Sequence, residues 1–172
     1  FDAYLKVALS HCKNNIAVYQ WHADRRRDLV EAAWKSAGLF LHQTLQWVKA
    51  RPIMGRCHFM SQHEPCVYGW RNKQQPYRRP PANASTVWAI DQKGQQDGIH
   101  PTQKPVEIFA RPIRWHTAKG EVVLEPFSGS GTQIIAAEQL ERRCFAMELS
   151  PAFVDAAVMR WEQQTGKKAK RG

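Results

Sequence analysis

Residues 121–138 read EVVLEPFSGSGTQIIAAE, running from Glu121 through Gly129 and Gly131 to Glu138, and this stretch decides the fold. Val122, Val123 and Leu124 form a short β-branched, apolar run of the kind that makes a buried strand. Pro126 to Thr132 then supplies two glycines, and Ile134, Ile135, Ala136 and Ala137 continue as a helix over 132–141. Glycines at a strand-to-helix turn let the backbone come close to a ligand. The helix N-terminus adds unpaired N–H groups and the positive end of a dipole.

Working outward, residues 143–148 read as the next strand, ending on Glu148, and a helix follows from Pro151 to about Thr165. Ser150 and Pro151 are a good N-cap and first-turn pair, and Gly166 is a helix stop. An acidic residue closing the second strand of such a unit can accept both hydroxyls of a ribose, so a nucleoside-bearing ligand is the first reading. The dinucleotide fingerprint matches only in part, because Ile134 stands where its third glycine belongs, and no Gly-Lys-Ser/Thr is present for a phosphate loop.

Upstream, the chain continues to alternate. A helix is expected over 1–13, with Phe1, Tyr4, Leu5, Ala8, Leu9 and Cys12 on one face. Residues 16–21 read as a strand. A helix over 24–37 turns Leu29, Val30, Ala33 and Trp34 inward and Arg25, Arg26 and Arg27 outward. Strands follow at 39–49, 65–70 and 86–90, and a helix from Pro105 to about Trp115 carries a Pro112 expected to kink or shorten it. The pattern predicts an α/β fold with a mainly parallel sheet, helices on both faces, and a ligand at the carboxyl ends of the strands.

Composition narrows the function. The 172 residues carry 25 Lys plus Arg against 15 Asp plus Glu, a net charge of +10, which favours a polyanion such as nucleic acid. Hydrophobic residues make up 43%, too many for a disordered chain. The apolar runs fall far short of the ~20 residues of a membrane helix. The opening stretch turns polar early and offers no small-residue cleavage site, so no secretory leader is expected. Cys12, Cys57, Cys66 and Cys144 have no framework spacing, and a reducing, cytoplasmic setting is expected.

Three segments together resemble the amino-directed DNA methyltransferases, which make N6-methyladenine or N4-methylcytosine. Glu125-Pro126-Phe127-Ser128-Gly129-Ser130-Gly131-Thr132 is similar to that family's cofactor loop, HPTQKP at 100–105 to its second cofactor segment, and 142–166 to its ribose-binding strand and helix. HEPCVYGWR at 63–71 is similar to a further strand of the family. The order of the segments is that of the family's β-type arrangement, and the resemblance implies a Rossmann-like class I methyltransferase fold over 1–172 as a single, partial domain. It also implies S-adenosyl-L-methionine as cofactor, with Glu125, Pro126, Phe127, Ser128, Gly129, Ser130, Gly131 and Thr132 around its methionine and adenosine. Glu148 would hold the ribose. His100, Thr102, Gln103 and Lys104 would meet the methionine end, where Lys104 can pair with a carboxylate. Two positions depart from the family pattern: Glu125 stands for the usual Asp, and Gln133 for a common second Thr.

The family's chemistry rests on an Asp/Asn/Ser-Pro-Pro-aromatic tetrapeptide that accepts hydrogen bonds from the target amine and stacks on the flipped base. No such string occurs in the 172 residues; QQPYRRPP and RRPPANAS come nearest and do not match. No catalytic residue is therefore assigned. The expectation is of a segment lacking the motif-bearing central strand, with strands 16–21 and 121–125 flanking the gap and the missing part of the enzyme as its partner. Double-stranded DNA is the other expected partner.

Residues 71–99 occupy the place of target recognition in the family. Arg71, Lys73, Arg78 and Arg79 are candidates for phosphate contact, and Tyr77 or Trp88 for stacking on a base. Two rival functions stand beside the methyltransferase: a non-catalytic nucleic-acid-binding relic of the same fold, and a nucleotide-binding oxidoreductase domain, which the missing third glycine disfavours. Cys57, His58, His63 and Cys66 lack paired metal-ligand spacing, so no metal site is assigned. Trp21, Trp34, Trp47 and Trp161 fit core faces.

Overall fold

A computed structural model of the chain describes residues 2–55, 58–91 and 104–171. They fall into two compact units, Phe1–Asp91 and Gln92–Gly172.

In the first unit, α1 (Asp2–Ser10) and α2 (Arg27–Ser36) accompany β1 (Val18–Trp21), β2 (Leu39–Ile53), β3 (Ser61–Arg71) and β4 (Val87–Ala89). The sheet order is β1-β3-β2-β4. Leu5, Leu9, Val30, Ala33, Trp34, Leu39 and Val67 form one buried cluster, so the apolar stripes of both helices close on the start of β2 and the middle of β3. Leu29, expected inward, is 45% exposed. The stripe is set by Val30, Ala33 and Trp34, and Leu29 lies about 100° round the helix from Val30. Tyr19 stacks against Tyr68 at 4.7 Å between ring centroids across the β1/β3 pair. The indole N–H of Trp34 donates to Gln20 Oε1 at 2.6 Å, and that of Trp47 to the Ile90 carbonyl at 3.0 Å, so both buried rings have their polar atom satisfied.

In the second unit, β5 (Val122–Glu125) pairs in parallel with β6 (Arg143–Ala146), and α3 (Val106–His116), α4 (Thr132–Gln139) and α5 (Pro151–Thr165) complete the unit. Ala110, Ile113, Ala136 and Ala137 pack with Val123 and Cys144, which places α3 and α4 on one face of β5 and β6. Pro112 does not end α3, which runs on to His116. The second strand stops at Ala146, so Glu148 sits just past its carboxyl end.

The α/β alternation is present, and parallel pairs occur in both units, β2 with β4 and β5 with β6. The antiparallel pairs β1/β3 and β2/β3 add what the alternation did not foretell. The reason is local: no helix separates β2 from β3, so the two join as a long hairpin. β1 and β5 lie in different sheets.

Candidate functional site

The turn after β5 is built around two carboxylates. Glu125 closes the strand, and its Oε1 accepts the Phe127 N–H at 2.8 Å. Burial raises the Glu125 pKa above the ordinary carboxylate range, while the Phe127 N–H and the Gln133 amide pull it back. The two departures noted in the sequence therefore meet: Gln133, on the first turn of α4, hydrogen-bonds the longer acid at 125.

Glu148 does the complementary work from the other strand end. Its Oε2 accepts the Gly129 N–H at 2.8 Å and its Oε1 the Ser150 N–H at 2.9 Å. The Ser150, Gly129 and Leu149 N–H groups together hold its pKa below the usual range, so it is ionised at neutral pH. A carboxylate has about four acceptor positions, and two backbone bonds leave capacity for a diol. The loop itself is pinned by the Ser128 N–H on the Met147 carbonyl at 2.9 Å and the Gly131 N–H on the Ser128 carbonyl at 3.0 Å.

Gly129 and Gly131 both take left-handed backbone, φ +53° and +77°. A methyl at 129 would meet nothing within 4 Å, so this face of the turn is open to a ligand. The Ser128 Oγ and Gln133 Oε1 atoms are buried without a hydrogen-bond partner among the described residues. An open glycine face, orphaned buried polar atoms and an ionised carboxylate with spare acceptor capacity fit a polar nucleoside ligand.

One further side chain was not singled out in the sequence. Arg160 of α5 is 7% exposed, and its Nη1 donates to the Ser130 carbonyl, to Ser130 Oγ at 3.1 Å and to Thr132 Oγ1 at 3.3 Å. The signal for it was available: Arg160 shares a helical stripe with the buried Ala156 and Ala157, and an arginine on an apolar stripe is held by something. Arg160→Met is expected to cost on the order of 2–3 kcal/mol in urea unfolding, because it leaves buried acceptors without a charged donor. Arg160→Lys keeps the charge but not the fork and is expected to recover only part of that.

Of the other expected cofactor residues, Lys104 lies just before α3, and His100, Thr102 and Gln103 lie outside the described residues. Pro126, Phe127, Ser128, Ser130 and Thr132 all lie on the turn, with Phe127 62% exposed. The candidate DNA residues divide. Tyr77 is 86% exposed, Lys73 and Arg78 are exposed, and Arg79 reaches Gln75 Oε1 at 2.7 Å. Trp88 is corrected: it is 1% exposed, with its indole N–H on the Ser85 carbonyl, and offers no face for stacking. Arg71 is corrected too. Its guanidinium donates to the carbonyls of Leu9, Cys12 and Lys13 and closes the C-terminal end of α1. Among the described residues no group of three or more potential metal ligands gathers. Cys57 lies outside them, and Cys66 is fully buried in β3. Cys144 is pushed up to about 12 by burial and by Glu125, which makes it an inert thiol at neutral pH.

Residues 6–159 match the family described as DNA methylase. The chain belongs to the DNA methylase family. This methylase chain is 30% identical over 154 residues to the type II methyltransferase M.Cfr9I of Citrobacter freundii, across 78% of this chain and 50% of that protein. It is 35% identical over 82 residues to M2.MboI of Moraxella bovis, across 46% of this chain and 30% of that protein. The chain thus spans about half, or less, of the length of the curated relatives it matches. Among solved structures, the M1.HpyAVI–SAM complex superposes with a TM-score of 0.80 at 22% identity, covering 92% of this chain and 80% of that one. The cytosine-N4-specific PvuII DNA methyltransferase superposes at 0.79 with 14% identity, covering 95% and 72%. The methylase chain therefore has the Rossmann-like class I methyltransferase fold.

Proposed function

We propose that this chain carries the cofactor site and part of the DNA face of a DNA methyltransferase that moves a methyl group from S-adenosyl-L-methionine to adenine N6 or cytosine N4. The observation that carries the reading is the Gly129 N–H donated to Glu148, which fastens the glycine turn to an ionised acid just past the end of β6. Bound there, S-adenosyl-L-methionine would supply a sulfonium methyl as the electrophile. Glu148 would accept the ribose hydroxyls, Glu125, Pro126, Phe127, Ser128, Gly129, Ser130, Gly131 and Thr132 would line the nucleoside and methionine, and Lys104 with His100, Thr102 and Gln103 would meet the methionine carboxylate. Lys73, Tyr77, Arg78 and Arg79 form the remaining DNA set. The four positions carry net positive charge and a stacking ring on one loop of the first unit.

The 172 residues contain no Asp/Asn/Ser-Pro-Pro-aromatic string, and the reading assigns that motif to a further segment of the enzyme. Calorimetric titration of S-adenosyl-L-methionine into the 172-residue chain is expected to give saturable, micromolar binding that S-adenosylhomocysteine competes away and NAD does not match. Tritiated methyl transfer to DNA by the same chain is expected at background. Robust turnover would refute the assignment of the motif elsewhere. DNA binding without any cofactor binding would favour the second reading, a non-catalytic nucleic-acid-binding relic.

A further inference from the structure

β2 and β3 outrun the sheet they belong to. β1 pairs with β3 only between Cys66 and Gly69, and β4 pairs with β2 only between Gln46 and Val48. Past the Val48–His63 pair the hairpin continues through a bulge, five residues of β2 against two of β3, to the Ile53–Ser61 pair with no third strand beside it, and every described residue from Ala50 to His63 is exposed. Its end is apolar: Ile53 is 50% exposed, Met54 84%, Phe59 88% and Met60 56%. Large apolar side chains gathered at a projecting tip are costly in water unless a partner covers them.

The charge around that tip identifies the partner. Residues 49–63, KARPIMGRCHFMSQH, contain Lys49, Arg51, Arg56, His58 and His63 and no acid. Lys49 is engaged by Glu64 at 2.7 Å, and Arg51 and His58 are exposed on the ribbon. A basic, two-stranded ribbon matches the width of the DNA major groove, and Phe, Ile and Met are the side chains that proteins wedge between base steps. We propose that the β2–β3 ribbon docks on duplex DNA, with Arg51 on the phosphates and Met54 and Phe59 packed against or between the bases. The inference rests on DNA being the partner of this chain, and it places a contact outside the 71–99 stretch.

The test measures binding of a fluorescein-labelled duplex by anisotropy, with the parent chain, the Met54→Ala/Phe59→Ala double variant and Arg51→Ala. The double variant is expected to bind at least roughly tenfold more weakly, the scale of lost base–aromatic contact. Arg51→Ala is expected to lower the salt-dependence slope by about 1. In a duplex carrying 2-aminopurine, the parent is expected to raise fluorescence and the double variant to leave it flat. Cofactor affinity and melting temperature should not change, because these side chains stand free of both cores. A double variant within twofold of the parent overturns the inference and leaves the DNA reading standing. A parent that binds no duplex overturns both. A double variant that turns a dimer into a monomer in light scattering, with DNA affinity unchanged, shows that a second copy covers the tip and also overturns the proposal.

Discussion

Gly69→Ala is expected to unfold or severely weaken the first unit. A methyl built on Gly69 would lie 1.9 Å from the Phe40 carbonyl oxygen and 2.9 Å from Trp34 Cζ3. The first is backbone and the second a ring that is 1% exposed, so neither neighbour can swing aside. Gly69 also faces Val18 of β1 and Leu41 of β2, and any retreat of β3 breaks register on both sides. Overpacking of this kind costs about 1–3 kcal/mol and occasionally more, and a backbone oxygen as the obstacle places this site at the upper end. A loss of about 3 kcal/mol lowers the melting temperature of a chain this size by roughly 6–12 °C. Gly55→Ala is the control, since its methyl would meet nothing within 4 Å. It is expected to change stability by less than about 0.5 kcal/mol. Thermal melts of both variants check the pair, and a Gly69→Ala chain melting with the parent would mean that β1, β2 and β3 pack less closely than described.

Gly131→Ala is expected to damage the cofactor turn through two separable terms. Its φ of +77° penalises any side chain by about 1–2 kcal/mol. Its methyl would also lie 2.6 Å from Ala157 Cβ on α5, a further overpacking term of about 1–3 kcal/mol. Calorimetry should show cofactor binding lost together with a stability loss of about 2–5 kcal/mol. Adding Ala157→Gly relieves the 2.6 Å contact, leaving Ala157 Cα at 3.2 Å, and does not relieve the backbone strain, so a double-mutant cycle should give a favourable coupling energy. Gly129→Ala separates ligand from fold. Its methyl meets no protein atom within 4 Å, so stability should fall only by the strain term while cofactor affinity falls sharply. If Gly129→Ala bound S-adenosyl-L-methionine as the parent does, the open face of the turn would not be the binding face.

The second unit was legible because its signals are local. A β-branched run, a glycine turn and a helix follow one another within 121–138, and the structure places β5, the turn and α4 there in that order. Glu148 was also readable as the ribose acceptor beside that turn, but its direct bond to the Gly129 N–H was not. The pairing of Glu125 with Gln133 was visible only as two oddities, since nothing in a one-dimensional string says that a longer acid and an amide eight residues on will meet. The first unit was less legible because its order depends on pairing at a distance. The strands were found, yet the antiparallel placement of β3 between β1 and β2 is set by core contacts among Trp34, Leu39 and Val67 rather than by propensity. Arg71 and Trp88 were misread for the same reason. A basic residue and an indole beside a polar loop look like DNA contacts until the carbonyls of α1 and the Ser85 carbonyl are seen to hold them.

β2 runs from Leu39 to Ile53 with its register on β3 shifted once after Leu41 and again after Val48, and its two halves live in different surroundings. The first half is anchored by Leu39, Leu45 and the fully enclosed Trp47, while the second projects beyond Val48, where β3 advances only two residues, about 7 Å, to the Ile53–Ser61 pair. A load applied at Met54 or Phe59 passes through the bulge between Val48 and Ile53 before it reaches that indole, so the bulge sets how much of the load arrives. The strand is mechanically a cantilever, and the fluorescence of its root tryptophan is a built-in strain gauge for whatever grips the free end.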